Sequence, residues 1–370
     1  MNELDVRTIE RDLTALWKKA GEEDGGVLRA CLLNLLVYVP HNRAAREVED
    51  IVSEITGSHP CRAILIIANR DDPDSYLKAK VTSKCTLQSA SSKQVCCEQV
   101  TIEAGGEEVF EAPSAVAPLL LSDLPVYLWW RGGLQLGDRV FKRLADASDR
   151  VVIDSADFAS PYGDLLSLAA LMGQRHRGPA FSDLNWARLI AWRGLLAGFH
   201  DVARYKRSLE NLAAVTVEYA PPAIDDGAIA PRALSLVGWL ASRLGWTLNA
   251  DSVTRSSSKT AFEFQTNGRV ISVEFVATQN AAIEPGRLAL VTLASATSGH
   301  NFVVRRSSDR TRIETEVAVD AERTSQRVLS YENWSEAELL GRELEILGHD
   351  RVYEEAVLAA GEMIVALVGS

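Results

Sequence analysis

The sequence predicts a two-domain protein of mixed α/β and α+β class: an N-terminal mixed-sheet α/β layer domain over residues 1–178, then an α+β domain over residues 179–370 with a β-meander and C-terminal helices. Three observations predict it. The chain has 370 residues, and one hydrophobic core rarely grows past about 250–300 residues. The first half alternates short apolar runs with amphipathic stretches, the pattern of βαβ units. The second half carries a long β-rich stretch, Trp246 to Leu329, with turn residues between alternating runs.

The elements follow in order. Val6, Ile9, Leu13 and Leu16 recur at spacings of three and four and mark one face of a first helix. Glu22 to Gly26 reads as a turn, and Leu28 to Val39 as a buried strand that Pro40 ends. Arg43 to Thr56 is helical, with Val48, Ile51, Val52 and Ile55 on one face and Gly57 as its stop. Cys61 to Ala68 is a second buried strand, so strand, helix and strand imply a parallel pair with a right-handed crossover. Tyr76 to Leu87 and Lys93 to Glu103 flank a polar turn, Gln88 to Ser92, and predict an antiparallel pair. A helix around Ala115 to Leu121, a strand from Leu124 to Trp130, a helix from Val140 to Ala147, a short strand from Arg150 to Asp154 and a helix from Leu165 to Met172 complete the layer domain.

Gln174 to Ser182, with Pro179, reads as the link between domains. Helices at Trp186 to His200 and Ala203 to Leu212 follow, then a strand from Ala214 to Tyr219. Pro231 to Leu244 is a helix with proline at its first position, where the missing N–H costs nothing. Ala261 to Thr266 and Arg269 to Ala277 flank Asn267-Gly268, a two-residue hairpin turn. Leu288 to Ala294, Asn301 to Arg305 and Thr311 to Val319 extend the meander. Ser335 and Glu338 form a capping box for a helix ending at Gly348, and Asp350 caps the last one.

Composition narrows the function. Hydrophobic residues are 47% and charged residues 24%, ordinary for a soluble globular chain, and the net charge is -11. That balance argues against nucleic acid and anionic membrane as partners, since phosphate binding needs the opposite sign. The N-terminus lacks the basic start and apolar run of a signal peptide, and no run is long enough to span a bilayer, so a cytoplasmic protein is expected. Five cysteines, an odd number without a C-x-x-C pair, argue against a disulfide scaffold. The adjacent Cys96 and Cys97 diverge on a strand.

Motifs for chemistry are missing. The sequence has no phosphate loop, no G-x-G-x-x-G turn, no H-E-x-x-H and no G-x-S-x-G elbow, and its six histidines are scattered, so neither metal nor cofactor is expected. Three clusters stand out. His59 and Cys61 could meet on one strand face, but the default is a helix-to-strand turn with a packed thiol. Trp129 and Trp130 point to opposite faces of a strand, and Arg131, Gly132 and Gly133 follow at its carboxyl end, where open α/β sheets take ligands. That place suits a small anion or a partner; the alternative is two aromatics covered by helices on both faces of the sheet. In the third cluster Asp183 or Asn185 can cap a helix on which Trp186, Leu189 and Arg193 share one face, Arg188 and Trp192 another. Tryptophan beside arginine permits cation–π contact and is enriched at binding hot spots. Domain packing is the alternative.

Taken in order, these segments resemble the OpcA family. They are Val48 to Ile55 leading into Ser58-His59-Pro60-Cys61-Arg62, then Asp123 to Gly132, Arg150 to Ser155, and Asp183 to Leu189 with Trp192-Arg193. The match covers most of Val37 to Asp201 and continues more weakly beyond. The resemblance implies a non-catalytic assembly factor and allosteric activator of the glucose-6-phosphate dehydrogenase oligomer. It would serve the oxidative pentose phosphate pathway of cyanobacteria and actinobacteria. No active site is carried over. Trp129, Trp130, Arg131, Asp183, Asn185, Trp186, Arg188, Trp192 and Arg193 are the candidate partner-contact residues. Cyanobacterial members are described as redox-responsive through cysteines; here the cysteines lie early and form no well-spaced pair, a departure from that pattern. The competing expectation is an enzyme or sensor that binds a sugar phosphate or nucleotide in the N-terminal domain.

Overall fold

A computed structural model of the chain describes residues 2–3, 6–23, 28–29, 31–40, 45–87, 94–173, 178–280, 282–296, 299–307, 309, 312–319, 322–330, 334–346 and 348–369. The residues form two compact units, each drawn from separated stretches. The first combines Met1–Ile153, Arg175–Leu184 and Trp334–His349; the second combines Asp154–Gln174, Asn185–Asn333 and Asp350–Ser370. A cut at residue 178 falls inside the short segment that returns to the first unit. Part of the expected link, residues 174–177, lies outside the described residues, as does the turn at 88–92.

The first unit holds β1 (Asn2–Glu3), α1 (Val6–Glu23), β2 (Leu28–Arg29), β3 (Leu33–Pro40), α2 (Ala45–Ser58), β4 (Cys61–Asn69), β5 (Tyr76–Leu87), β6 (Gln94–Gly105), α3 (Ala112–Val116), β7 (Val126–Trp130), α4 (Arg139–Asp146) and β8 (Arg150–Ile153). After α5 (Pro161–Gly173) of the second unit, it takes β9 (Ala180–Asp183). Its nine strands run β1-β5-β6-β4-β3-β7-β8-β9, with β2 beside β6. The stretch from β6 to β9 is parallel throughout. Counted along the chain, those six strands lie in the order third, second, first, fourth, fifth, sixth. This is the doubly wound order of dinucleotide-binding sheets, with its switch point between β3 and β7.

The burial explains why this sequence makes those strands. Leu33 to Val39 of β3 is buried without interruption, as parallel strands covered on both faces require. Each such side chain contributes about 1.5–3 kcal/mol relative to exposure. The one polar residue in that run, Asn34, is satisfied: its Oδ1 accepts from Leu121 N at 2.8 Å and its Nδ2 donates to Leu121 O at 3.0 Å. Arg62 of β4 and Glu98 of β6, paired in register, form a buried ion pair at 2.5 Å, and Arg62 also donates to Leu119 O at 2.8 Å. Those extra bonds offset the desolvation that a buried charge pair costs.

The second unit continues with α6 (Leu184–Ala187), α7 (Ile190–His200), α8 (Lys206–Leu209), β10 (Leu212–Tyr219), α9 (Pro231–Leu244), β11 (Thr247–Arg255), β12 (Lys259–Thr266), β13 (Arg269–Ala277), β14 (Leu288–Ser295), β15 (His300–Arg306), β16 (Arg312–Val319) and β17 (Glu322–Ser330). The chain then adds α10 (Glu336–Leu344) to the first unit and closes with α11 (Arg351–Gly369). The eight strands run β11-β12-β13-β10-β14-β15-β16-β17, antiparallel except where β10 meets β13. Alternate residues are buried, among them Val215, Val217, Phe262, Phe275, Leu293 and Phe302, so one face packs a core. The β12–β13 hairpin turns at Asn267 and Gly268 with φ of 48° and 75°, the left-handed geometry its residues favour. Helices α9 and α11 approach closely at Gly238, where an added methyl would strike the Ala356 carbonyl.

The α/β and α+β class holds, and five local expectations need correction. The run from Leu28 to Val39 is two strands, because the chain bends at Cys31 and Leu32. The helix expected at Ala115 to Leu121 is α3 plus a 3₁₀ turn, Ala117–Leu119, since Pro118 cannot continue an α-helix. Trp186 to His200 is two helices broken at Arg188 and Leu189. Ala203 to Leu212 is a 3₁₀ turn and the short α8, and Leu212 already belongs to β10. Helix α10 stops at Leu344, short of Gly348, although its capping box forms as expected. Beyond these, β9 went unrecognised in a segment read as a link.

Candidate functional site

The sequence singles out two tryptophan–arginine groups, and each is best described from its own unit. In the first, β7 is central in the sheet, so both its faces are covered and both tryptophans are buried, Trp129 at 0% and Trp130 at 2% exposure. Trp130 stacks on Tyr38 of the neighbouring β3, centroids 3.9 Å apart and 12° from parallel, and meets Phe141 edge-on at 5.0 Å. Its indole N–H donates to Gly133 O at 3.2 Å. Gly132 lies so close beneath the ring that a Cβ there would sit 2.9 Å from it. Trp129 has no hydrogen-bond acceptor for its buried indole N–H among the described residues. Its ring instead carries the Arg131 guanidinium, 5.0 Å from the centroid, and Arg131 pairs with Glu336 of α10 at 2.9 Å.

Arg131 is thus turned to Glu336, and among the described residues the cation lining the crevice at the strand ends is Arg70. This crevice, about 250 Å³, lies at the carboxyl ends of β3, β4 and β7. Tyr38, Pro40, Arg70, Asp71, Trp130 and Asp138 form most of its wall. Arg70 donates to Asp138 at 2.7 Å and to the Tyr38 hydroxyl at 3.2 Å. Burial is the main influence on Tyr38 and pushes its hydroxyl up from the usual range, against the lowering pull of Arg70. Asp138 also caps α4, accepting from Val140 N and Phe141 N at 2.9 and 3.1 Å. A crevice does lie at the end of β7, and Tyr38, Arg70 and Asp138 on its wall were not among the residues the sequence singled out. The signal available was the residue just beyond the second strand of a βαβ unit.

Asp183 ends β9, buried and in register with Ile153 of β8. The remaining members of the second group belong to the second unit. Asn185 is buried inside α6 and does not cap it; its Nδ2 donates to Ser155 Oγ at 2.9 Å and its Oδ1 accepts from Arg232 at 2.6 Å. The Trp186 indole N–H donates to Asp350 Oδ2 at 3.1 Å, and its ring meets Tyr353 at 5.3 Å. Arg193 lies 3.6 Å over the Trp186 ring, the shared face its spacing suggests. Arg188 pairs with Asp154 at 2.8 Å, and Trp192 is buried at 1% exposure. Six of the nine candidates, Trp129, Trp130, Asp183, Asn185, Trp186 and Trp192, have buried side chains.

The His59–Cys61 cluster has the packed form. His59 shares hydrogen bonds with Ser58 Oγ at 2.9 Å and Glu345 Oε1 at 3.3 Å, while Cys61 is buried and its thiol is pushed well up by burial. Burial also raises Cys97, which leaves little thiolate at either sulfur. Among the described residues no group of three metal-ligating side chains occurs, and no helix is long and apolar enough to cross a membrane.

Comparison with known proteins adds a lineage. Residues 52–170 match the family model described as glucose-6-phosphate dehydrogenase subunit N-terminal domain, and residues 179–357 match the corresponding C-terminal domain. An OxPP cycle protein OpcA of Nostoc punctiforme is 34% identical over 53% of this chain and 40% of its own length. The OpcA protein of Synechocystis is 26% identical over 84% of this chain and 65% of its own length. The matches thus span about two fifths and two thirds of those relatives. Among solved structures, a Klebsiella pneumoniae NAD-binding oxidoreductase gives a TM-score of 0.52 at 10% identity, covering 92% of this chain and 97% of that one. Glucose-6-phosphate 1-dehydrogenase of Mycobacterium avium gives 0.50 at 10% identity, covering 91% and 92%. At such identities the likeness concerns the fold alone.

Proposed function

We propose, because this chain belongs to the OpcA family, that it binds a glucose-6-phosphate dehydrogenase, favours that enzyme's active oligomer and raises its turnover without chemistry of its own. The observation that carries this reading is the pair of family models, both described by a dehydrogenase subunit, that together take in both halves of the chain. A cytoplasmic place in the oxidative pentose phosphate pathway goes with it. The non-catalytic part is supported by the sheet itself. Its order is that of a dinucleotide-binding enzyme, yet β3 runs into Pro40 rather than a glycine turn, and the Tyr38–Trp130 stack stands at the switch point and leaves a crevice of only about 250 Å³.

The physical device is linkage. A partner that binds the active assembly better than the inactive one shifts the population toward it, and a tenfold preference corresponds to about 1.4 kcal/mol. The contact lies on surfaces that the Trp129–Arg131 and Asp183–Arg193 segments hold in shape. Arg131 anchors α10 through Glu336, and Arg193 braces Trp186.

The test mixes the purified chain with the dehydrogenase of its own cell and records sedimentation and rate. A heavier complex with a raised rate is expected, with weaker activation by Arg131→Ala and Arg193→Ala. Unchanged mass and unchanged rate would end the proposal. A second reading, an enzyme or sensor using the first unit, is favoured by the doubly wound order; turnover of a sugar phosphate by the chain alone would select it.

A further inference from the structure

We infer that the crevice at the carboxyl ends of β3, β4 and β7 binds a nucleoside or mononucleotide through a free ribose 2′,3′-diol. This does not rest on the dehydrogenase reading, and it is tested on the chain alone.

The position is the first argument. In open α/β sheets ligands settle outside the carboxyl ends of the strands, where the order reverses. Here that reversal lies between β3 and β7, and the crevice opens there. The second argument is the chemistry just past the second strand. In such sheets a carboxylate at that place accepts from the ribose hydroxyls, whereas an arginine accommodates a phosphorylated ribose. Beyond β4 this chain carries both, Arg70 and Asp71.

The surroundings decide between them. Arg70 is already engaged by Asp138 at 2.7 Å and by Tyr38 at 3.2 Å. Asp138 is tied down in turn, because it caps α4. Asp71 is exposed on the rim. Among the described lining residues the wall thus sets one guanidinium, internally neutralised, against two carboxylates. A 2′-phosphate would have to displace Asp138 and approach Asp71 against like charge. A neutral diol needs only an acceptor, and Asp71 supplies it.

Size and shape set the rest of the ligand. The volume of about 250 Å³ is below the 300–1,000 Å³ of ordinary ligand pockets. The Tyr38–Trp130 stack stands where a dinucleotide would cross from one half of the sheet to the other. One nucleoside half fits; two do not. A planar base can lie on the guanidinium face of Arg70, which is 38% exposed, with Pro40 as the apolar wall.

The experiment is calorimetric titration of the full chain with adenosine 5′-monophosphate, adenosine 2′,5′-bisphosphate and ribose 5-phosphate. Saturable binding of the monophosphate is expected, with the 2′-phosphorylated compound at least tenfold weaker, about 1.4 kcal/mol. Asp71→Ala should weaken the monophosphate at least tenfold while leaving the melting temperature unchanged. No heat from the monophosphate at millimolar concentration would overturn the inference. So would equal or tighter binding of the bisphosphate, or indifference to Asp71→Ala. Ribose 5-phosphate binding as tightly as the nucleotide would also overturn it, since the base would then play no part.

Discussion

The two tryptophan–arginine groups have nearly the same composition, but the indoles of Trp130 and Trp186 are supported in opposite ways. Around Trp130 the partners are close at hand: its N–H reaches a carbonyl three residues on, and its ring lies on the adjacent strand. Around Trp186 the bond goes to Asp350, 164 residues away, and Arg188 reaches back to Asp154. The Trp130 ring fills a sheet core, while Arg131 of the same group reaches Glu336, 205 residues away. The second group ties distant stretches of one unit to each other. A motif rich in tryptophan and arginine therefore does not announce its role; the role depends on whether its polar atoms are satisfied locally or across the fold.

The comparison can be broken by substitution, with the largest effect in the sheet. Trp129→Ala leaves a cavity in a fully buried position and should cost about 3–5 kcal/mol by denaturant unfolding. The milder Trp129→Phe sharpens the point. It removes an indole N–H without a hydrogen-bond partner among the described residues, whereas Trp130→Phe gives up the bond to Gly133 and should cost about 1 kcal/mol more. The reverse order would mean that the two rings have been assigned the wrong support.

A smaller loss is expected in the second group. Asp350 accepts from the Trp186 indole and from Tyr353 N at the start of α11, so Asp350→Ala should cost about 1–2 kcal/mol. A change within error would show that the long-range tie contributes nothing. The smallest effect belongs to Arg193→Ala. The guanidinium over Trp186 is partly exposed, and its loss should lower stability by about 0.5–1 kcal/mol, read from the same unfolding midpoint.

Much of this fold was legible in the chain. The continuous apolar runs of β3 and β4, the β5–β6 pairing, the Asn267-Gly268 turn, the limits of α9 and the Ser335 capping box follow from local chemistry. The candidate site was legible only in part. The strand end carrying Trp130, Gly132 and Gly133 was visible, but Arg70 and Asp138 join it through a pairing 68 residues long. Strand β9 was hidden because four residues beside Pro179 carry too little periodicity to mark a strand.

By itself the sequence determined the class of each half, most element boundaries and the absence of a glycine turn for a dinucleotide, because propensity, periodicity and capping act over a few residues. Only the tertiary structure decided the parallel strand order, the stacking of Tyr38 on Trp130, and which carboxylate each arginine meets. Those depend on pairings between segments far apart in the chain. Many alternative pairings satisfy the same local pattern, and the packing of a whole core selects among them.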